Sequence, residues 1–371
     1  MNRPKKAQLS HISGVVLAGA YPRGHSLFDR LRPRPLLPVA QEPLVAFPLR
    51  WLAEGGIRSA TVCSNSAARA VRRTLSGDPT LPLEIGFHED WMPRGAAGCV
   101  RDAAVQTSDT TFVVVDGTTI PRVDLEGLLE THEVCKATLT VVVHHDPGQP
   151  RKASALSPSG IYIFDRRVLD YIPKKGFQDI KESLIPRLHA AGERIVTHTG
   201  FGSCPRIFNS ETYLAVNHWM TSRVVATRRA PDGFTLVEQA LIHDSIFLGR
   251  GARLVGPMVI GPGVMVGDGA TLVGPLALGS NCFVGEGALL SRTVLWDNCW
   301  IGKGSSLDRC VVADGAVVRP GVTLFGTLKS GPTVVDSSQT APPLGTLAQR
   351  NWVEGTGPST AAIEPAVTTN A

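Results

Sequence analysis

Residues 266–290 read VGDGATLVGPLALGSNCFVGEGALL, and an apolar residue returns at every sixth position of this stretch. The spacing covers nine consecutive positions: Ile242, Leu248, Leu254, Ile260, Val266, Leu272, Leu278, Val284 and Leu290. After two steps shortened to five residues it continues at Leu295, Ile301 and Leu307 and at Val312, Val318 and Leu324. A six-residue repeat is typical of a parallel β-helix, in which each coil buries its apolar row only against neighbouring coils.

Glycine follows the apolar residue in six of these repeats, at Gly249, Gly261, Gly267, Gly279, Gly285 and Gly302. We expect a small residue there because the chain turns at each corner and a side chain would crowd it. We therefore predict a β-helix over residues 236–330, preceded by a linker at 221–235. Residues 331–371 lack the repeat and are rich in Pro, Thr, Ser and Ala, so a disordered tail is expected, in which 344–352 could dock.

Upstream of the repeat, over residues 13–220, strand-like and helix-like segments alternate. The strand-like segments are 14–20, 59–63, 112–115 and 137–143, and the helix-like segments are 44–54, 67–75 and 125–135. β-Branched runs that alternate with helical patterns favour a mainly parallel sheet covered on both faces, a doubly wound α/β domain. Ligands bind such sheets beyond the carboxyl ends of the strands, which directs attention to the loops after Gly19 and Val115. Residues 1–12 are polar and basic and predict a flexible extension.

Composition restricts the class of protein. The 371 residues suit two domains, and the net charge of +5 with 6% aromatic residues argues against a nucleic-acid partner. We expect no membrane partner, because the sequence has no apolar run of spanning length and no signal peptide. Seven cysteines without a CxxC pair or a Cys/His cluster predict buried free thiols, no metal site of zinc type and a reducing, cytoplasmic compartment.

Several short segments, taken in order, resemble one protein family. They are Leu17-Ala18-Gly19, 33–39 (PRPLLPV), 95–98 (GAAG), Asp116-Gly117, 159–164 (SGIYIF) and 213–217 (YLAVN). With the terminal repeat they resemble the sugar-nucleotide pyrophosphorylases, especially the mannose-1-phosphate guanylyltransferases, over residues 13–330. The resemblance implies a Rossmann-like nucleotidyltransferase domain followed by a left-handed parallel β-helix. Members of this family join a nucleoside triphosphate to a sugar 1-phosphate and release pyrophosphate.

The resemblance also implies binding residues. The expected nucleotide-binding positions are Leu17, Ala18, Gly19, Ala20, Arg34, Gly95, Ala97, Gly98, Asp116 and Gly117, and the expected sugar-binding positions are Ser159 and Gly160.

The phosphate-binding positions depart from the family pattern. The family loop LAGGxGTRL is replaced by LAGAYPRGH at residues 17–25, where Pro22 has no N–H to donate and Gly24 occupies the arginine position. Arg23 lies one position away. The signature lysine between two prolines falls on Arg34, which keeps the charge and changes its geometry.

The metal-binding and sugar-binding positions depart as well. The aspartate of the family's NGD segment falls on Thr118, and the second metal aspartate falls on Arg206. The family's EKP segment is replaced by HHDPGQP at 144–150. We therefore expect no intact catalytic or metal site, and Mg²⁺ as a cofactor only if the protein is active through Arg23, Arg34 and Asp116.

Other polar residues have structural interpretations beside functional ones. His144, His145 and Asp146 could bind a metal, but adjacent strand residues point apart, which favours surface positions. Asp179 and Glu182 could act as a pair or cap a helix, and the cap is favoured. His243 could serve a hexapeptide-repeat acyltransferase or lie on the coil surface.

Trp296 and Trp300 could cover an interface or shield a corner of the β-helix. Neither use is decided by the sequence.

Three functions compete at this point. The first is a catalytically degenerate subunit that binds a nucleotide sugar or nucleotide and assembles through the β-helix, as a homo-oligomer or with an active paralogue. The second is an active sugar-1-phosphate nucleotidyltransferase with a remodelled site. The third is an acyltransferase that works through His243.

Overall fold

The computed structural model describes residues 9–19, 27–65, 67–78, 80–145, 156–200, 204–205, 207 and 209–331. The chain forms two compact units. The first comprises Met1–Leu37 and Glu42–Ile207, and the second comprises Pro38–Gln41 and Phe208–Ala371. Four residues from the amino-terminal half, Pro38–Gln41, are therefore part of the second unit.

The first part of the chain contains the following elements. The strands are β1 (Ile12–Leu17), β2 (Pro38–Val39, in the second unit), β3 (Glu42–Pro43), β4 (Ser59–Ser64), β5 (Glu84–Glu89), β6 (Thr111–Asp116), β7 (Leu139–His145), β8 (Leu156–Asp165) and β9 (Ile195–Thr199). The helices are α1 (Leu27–Leu31), α2 (Ala46–Glu54), α3 (Ala68–Leu75), α4 (Gly95–Ala104), α5 (Leu125–Val134) and α6 (Ile185–Ala190). Two 3₁₀ turns (Arg34–Leu36 and Arg166–Tyr171) and a π-helical turn (Ile180–Leu184) complete it.

Seven strands form the sheet of the first unit, in the order β5-β4-β1-β6-β8-β7-β9. Every neighbouring pair is parallel except the two that involve β8, which runs antiparallel to β6 and β7. The predicted Rossmann-like α/β unit is thus confirmed, with one reversed strand that the sequence did not indicate. Residues 146–155 separate β7 from β8, fewer than the dozen or more that a parallel crossover needs.

Helices cover both faces of this sheet, and the alternation of side chains along β6 shows it. Val113 and Val115 belong to one core with residues of α2, α3 and α5. Phe112 and Val114 belong to a second core with residues of α4 and α6. Because successive strand residues point to opposite faces, a run of apolar residues such as that of β6 must be buried on both sides.

The second unit contains one long helix and many short strands. They are α7 (Ser210–Ala226), β10 (Phe234–Val237), β11 (Ala240–His243), β12 (Phe247–Leu248), β13 (Arg253–Val255), β14 (Met258–Ile260), β15 (Met265–Val266), β16 (Thr271–Val273), β17 (Leu276–Leu278), β18 (Phe283–Val284), β19 (Leu289–Ser291), β20 (Val294–Leu295), β21 (Trp300–Ile301), β22 (Ser306–Asp308), β23 (Val311–Val312), β24 (Val317–Val318), β25 (Thr323–Phe325) and β26 (Leu328–Lys329).

From β11 onward the strands form three parallel sheets, and each coil of the chain adds one strand to each sheet. The first sheet is β10-β11-β14-β17-β20-β23-β26, the second is β12-β15-β18-β21-β24 and the third is β13-β16-β19-β22-β25. We call this arrangement the strand stack. The residues of the six-residue repeat form its continuous core, as the sequence predicts. Strand partners are 18 residues apart in the early coils and 17 in the later ones. The shortened five-residue steps therefore lie in the later coils.

The glycines of the repeat are required for a reason that differs from the expected crowding within a corner. A Cβ atom added at Gly285 would lie 2.5 Å from the backbone nitrogen of Lys303, and one at Gly267 would lie 2.6 Å from that of Glu286. Both nitrogens belong to the next coil. The close approach of neighbouring coils therefore excludes a side chain at these positions.

Helix α7 extends to Ala226, six residues into the segment predicted as a linker. Its side chains hold Pro38–Gln41 in the second unit. The Trp296 Nε1–H donates to the Tyr213 hydroxyl oxygen at 2.8 Å, and that hydroxyl donates to the Pro38 carbonyl at 2.5 Å. The Ala40 N–H donates to Asn217 Oδ1 at 3.0 Å. Trp296 is buried, so it takes the structural role of the two considered above.

The cysteines and the helices bear on two further expectations from the sequence. All seven cysteines are free, and six of them are buried, with Cys135 half-buried. Within the described ranges no helix has both the length and the apolar character needed to cross a membrane. The tail beyond residue 331 lies outside the described residues, as do residues 1–8 of the predicted extension.

The strand stack provides a matched pair of neighbouring leucines. Leu290 is fully buried in the core, whereas Leu289 points outward and is 41% exposed. We expect Leu290→Ala to lower the free energy of unfolding of the stack by about 2–5 kcal/mol, because it leaves a cavity. Leu289→Ala should cost less than about 1 kcal/mol. Urea unfolding followed by circular dichroism measures both, and equal losses would contradict the inward assignment of the repeat.

Candidate functional site

The carboxyl ends of three parallel strands meet at one edge of the first unit's sheet. Leu17, the last residue of β1, lies in register with Cys63 of β4 on one side and with Asp116 of β6 on the other. The Ala18 N–H donates to the Cys63 carbonyl at 2.7 Å, and the Gly117 N–H donates to the Leu17 carbonyl at 3.0 Å. These bonds hold the predicted loops close together.

A small hollow of about 20 Å³ opens at this edge. Its lining residues are Leu17, Gly19, Cys63, Ser64, Asn65, Asp90, Ala96 and Cys99. This volume is far below the ~300–1,000 Å³ of formed ligand pockets, so the described residues mark a place at the sheet edge rather than a formed pocket for a nucleotide. Its place at the carboxyl ends of parallel strands is the usual one for ligands in such sheets.

The carboxylate of Asp90 organises one wall of the hollow. Its Oδ2 accepts hydrogen bonds from the Arg94 N–H at 3.0 Å and from the Cys99 thiol at 3.2 Å. Burial raises the pKa of the Cys63 thiol well above its usual range, and Cys99, Asp90 and Asp102 raise it further. A thiol held in its neutral form is a poor nucleophile, so Cys63 is a packing residue here.

The GAAG segment forms the first turn of α4. The N–H groups of Ala97 and Gly98 point at the Gln178 carbonyl, at 3.0 and 3.4 Å. Gly95 has a φ of 75°, and an added Cβ would lie within van der Waals distance of the backbone of Gln178. The predicted nucleotide-binding positions Gly95, Ala97 and Gly98 therefore hold the neighbouring chain, and Ala96 is the residue of this turn that lines the hollow.

The end of β6 is where the family's first metal aspartate would lie. Asp116 Oδ1 accepts hydrogen bonds from the Thr118 N–H at 2.9 Å and from the Thr118 hydroxyl at 2.7 Å. Within the described ranges no group of three or more His, Cys, Asp and Glu side chains is placed to hold a metal ion. Magnesium prefers carboxylate oxygens, and the Asp116 carboxylate already has two donors on its Oδ1. Among the described residues, those at the end of β6 therefore do not fit a two-carboxylate magnesium site.

The remaining predicted binding residues are spread over the first unit. Arg34 donates from Nη1 to the Ile207 carbonyl at 3.2 Å. Ser159 is fully buried, and its hydroxyl donates to the Val142 carbonyl at 3.1 Å across an irregular step between β7 and β8. Gly160, with a φ of 84°, continues this irregularity. The Ser159 hydroxyl thus serves the strand pairing.

Several sequence-predicted positions lie outside the described residues. Ala20 and Arg23 of the phosphate loop, Asp146, and Arg206 at the second metal position are among them, as is the side chain of His145. The structure therefore does not test the roles predicted for Ala20 and Arg23.

Two other candidates have structural roles. Asp179 Oδ1 accepts from the N–H groups of Lys181 and Glu182 and caps the π-helical turn, as predicted. His243 Nδ1 is 2.8 Å from the Ser245 hydroxyl and 3.1 Å from the Ser245 nitrogen, and its ring contacts Phe234 edge-on at 5.0 Å. These contacts hold a hairpin end and favour the surface interpretation of His243 over the acyltransferase one.

The sequence interpretation missed Cys63, Asn65, Asp90 and Cys99 as pocket residues. Cys63 belonged to a predicted strand, but its loop was not considered, and β5 before Asp90 was not predicted at all. The alternation of apolar and polar residues in EIGFHE, residues 84–89, was the available signal.

A comparison of Gly95 with Gly77 tests the close approach between α4 and the backbone of Gln178. Both have positive φ, but an added Cβ at Gly77 meets no atom within 4 Å, whereas one at Gly95 meets the backbone of Gln178. We expect Gly77→Ala to cost about 1–2 kcal/mol of stability from backbone strain alone. Gly95→Ala should cost clearly more, because α4 must move away from Gln178. Thermal and urea unfolding of the two variants measures the difference, and equal costs would contradict the contact.

Comparison with known proteins agrees with this geometry. Residues 14–152 match the family model described as nucleotidyl transferase. The mannose-1-phosphate guanylyltransferase of Mycobacterium tuberculosis is 25% identical over 273 residues, which cover 67% of this chain and 75% of that protein.

Two other relatives cover less. The D-glycero-alpha-D-manno-heptose 1-phosphate guanylyltransferase of Aneurinibacillus thermoaerophilus is 25% identical over 35% of this chain and 55% of its own length. The UTP–glucose-1-phosphate uridylyltransferase of Synechocystis is 26% identical over 43% of this chain and 50% of its own length. Residues 14–152 thus match the nucleotidyl transferase model and the chain is similar to sugar-phosphate nucleotidyltransferases, in agreement with the family resemblance drawn from its sequence.

Proposed function

We propose that the protein is a catalytically degenerate relative of the sugar-nucleotide pyrophosphorylases that binds a nucleotide or nucleotide sugar and acts as a regulatory or assembly subunit. The observation that carries the proposal is the pair of hydrogen bonds from Thr118 to Asp116 Oδ1, at the end of β6. Thr118 stands where the family pattern puts the first metal-binding aspartate.

Loss of that carboxyl group matters because nucleotidyl transfer depends on electrostatics. The transferring phosphoryl group develops charge that a metal ion and cationic side chains must stabilise, and positioning plus this stabilisation supply almost all of the catalysis. A hydroxyl is a much weaker magnesium ligand than a carboxylate. In the sequence the second metal position is Arg206, a cation where a dication would bind, which adds repulsion.

The binding part of the proposal rests on the position of the hollow at the carboxyl ends of the parallel strands, and not on its volume. Its floor is apolar and small at Leu17, Gly19 and Ala96, while Asn65 and Asp90 add polar groups at its wall. A few polar groups in an otherwise apolar pocket are typical of small-molecule sites. Binding thus requires none of the altered metal positions.

The assembly part rests on the second unit. We propose that the strand stack is a left-handed parallel β-helix, and that it joins the protein to a second copy or to an active paralogue. Seven free cysteines fit a reducing compartment, for which we propose the cytoplasm.

An active enzyme is the alternative. The observation in its favour is Asp116 itself, a carboxylate at the carboxyl end of β6 in register with Leu17, two residues before the position of the family's first metal aspartate. Arg34 and Arg23 would then supply the phosphate contacts, and Mg²⁺ would be required.

A thermal-shift panel of nucleotide sugars and nucleoside triphosphates, each with and without Mg²⁺, tests the proposal. At a ligand concentration 100 times Kd, binding stabilises the native state by about 2.7 kcal/mol, which moves the melting temperature by several degrees. We expect at least one nucleotide or nucleotide sugar to give this shift equally with and without Mg²⁺.

Two variants locate the binding site. Ala96→Phe fills the hollow with a ring and should abolish the shift, whereas Gln106→Phe adds the same ring at an exposed position just after α4 and should preserve it. A shift that appears only with Mg²⁺ would favour the active enzyme. No shift with any ligand would remove the binding function.

A further inference from the structure

One side of the strand stack carries a continuous row of apolar side chains that point outward. In each strand of the second sheet the second residue belongs to the buried core, so the first residue points away from it. Those first residues are paired in register from coil to coil: Phe247, Met265, Phe283, Trp300 and Val317. We call these five residues the apolar ladder.

The apolar ladder is accessible along its length. Phe247 is 39% exposed, and Met265, Phe283 and Trp300 are half-buried. The rings of Phe283 and Trp300 are stacked, with centroids 5.8 Å apart and planes 12° from parallel. The ladder therefore has a stacked pair of aromatic rings near its centre.

The third sheet shows that the fold does not require such a row. Each strand of the third sheet has three residues, and the middle one packs in the core. The first residue of each strand therefore points outward, and these first residues are paired in register from coil to coil. Those outward residues are Arg253, Thr271, Leu289, Ser306 and Thr323, of which four are polar. Because stacking tolerates polar residues on one outer face, an all-apolar row on another indicates a docking surface.

A second observation comes from the centre of the ladder. The Trp300 Nε1–H is buried and has no hydrogen-bond acceptor in the part of the chain that the structure describes. A buried donor without an acceptor costs free energy. A turn of the indole ring on docking would let a backbone carbonyl of a bound peptide accept from this N–H and remove the cost.

We propose that the apolar ladder is the docking site for residues 344–353 of the same chain. The position of the last described strand supports this assignment. In the four coils before the last, the strand of the second sheet begins five residues after the strand of the first sheet ends. For example, β23 ends at Val312 and β24 begins at Val317. The last strand of the first sheet, β26, ends at Lys329. By this spacing Gly331, the last described residue, lies in the turn that precedes the second sheet, whose last described strand is β24.

The composition and reach of the tail fit this site. Residues 344–353 read LGTLAQRNWV and hold four large apolar side chains, Leu344, Leu347, Trp352 and Val353. Polar and proline-rich residues flank them. Twelve residues, 332–343, join this segment to Gly331 and span up to ~40 Å when extended, while five rungs of a sheet measure ~19 Å. A tether of this length gives an effective concentration in the millimolar range, so modest contacts suffice for docking.

Hydrogen exchange of the full-length protein, read by mass spectrometry, tests the docking. We expect amides in 344–353 to exchange at least about tenfold more slowly than those in 355–371. Phe283→Thr and Trp300→Thr should remove this protection, because each replaces an aromatic ring of the apolar ladder by threonine. Threonine is already present in the outward row of the third sheet, so the strand stack accommodates it. Leu289→Thr, the matched change on the third sheet, should leave it intact.

A variant in the tail serves as a control for damage to the strand stack by the ladder substitutions. Trp352→Ala lies outside the stack and should also remove the protection of 344–353, with an unchanged melting temperature of the coils. Exchange of 344–353 at the rate of an unfolded peptide would overturn the proposal. So would a dimer of the full-length protein that Phe283→Thr dissociates while the tail stays unprotected, since the occupant would then be a second copy.

Discussion

Parallel pairing of strands in fixed register determines where the chemistry-bearing residues of both units lie. In the first unit the register of β1 with β4 and β6 brings Leu17, Cys63 and Asp116 to one edge of the sheet. In the second unit the register between coils puts every sixth residue into one core. A slip of one residue in either unit would exchange the buried and the outward side chains. Apolar burial on specified faces is what fixes this register.

The same constraint explains how a fold can persist while its site changes. Register depends on buried residues such as Val16 and Val115, whereas the chemistry depends on residues beyond the strand ends, where no neighbour fixes the residue type. Thr118 illustrates this separation. Its N–H and hydroxyl donate to Asp116 Oδ1, so local hydrogen bonds hold the turn at the position where the family pattern has an aspartate.

The sequence predicted the parts of the protein that repeat or alternate, and missed those that depend on contacts distant in sequence. The six-residue spacing specified the core of the strand stack residue by residue. By contrast, the bonds from Ala97 and Gly98 to the Gln178 carbonyl join segments about eighty residues apart, and no local pattern reports them. The antiparallel direction of β8 was missed because strand propensity carries no information on direction.

We propose that the end of β6 does not form the metal site of a pyrophosphorylase. Pyrophosphate release by the purified full-length protein, measured with nucleoside triphosphates and sugar 1-phosphates in the presence of Mg²⁺, tests this claim most directly. The account predicts no release above a blank without protein. Turnover at about 1 s⁻¹ or faster, within the ordinary range for enzymes, that is lost in Asp116→Asn would contradict it.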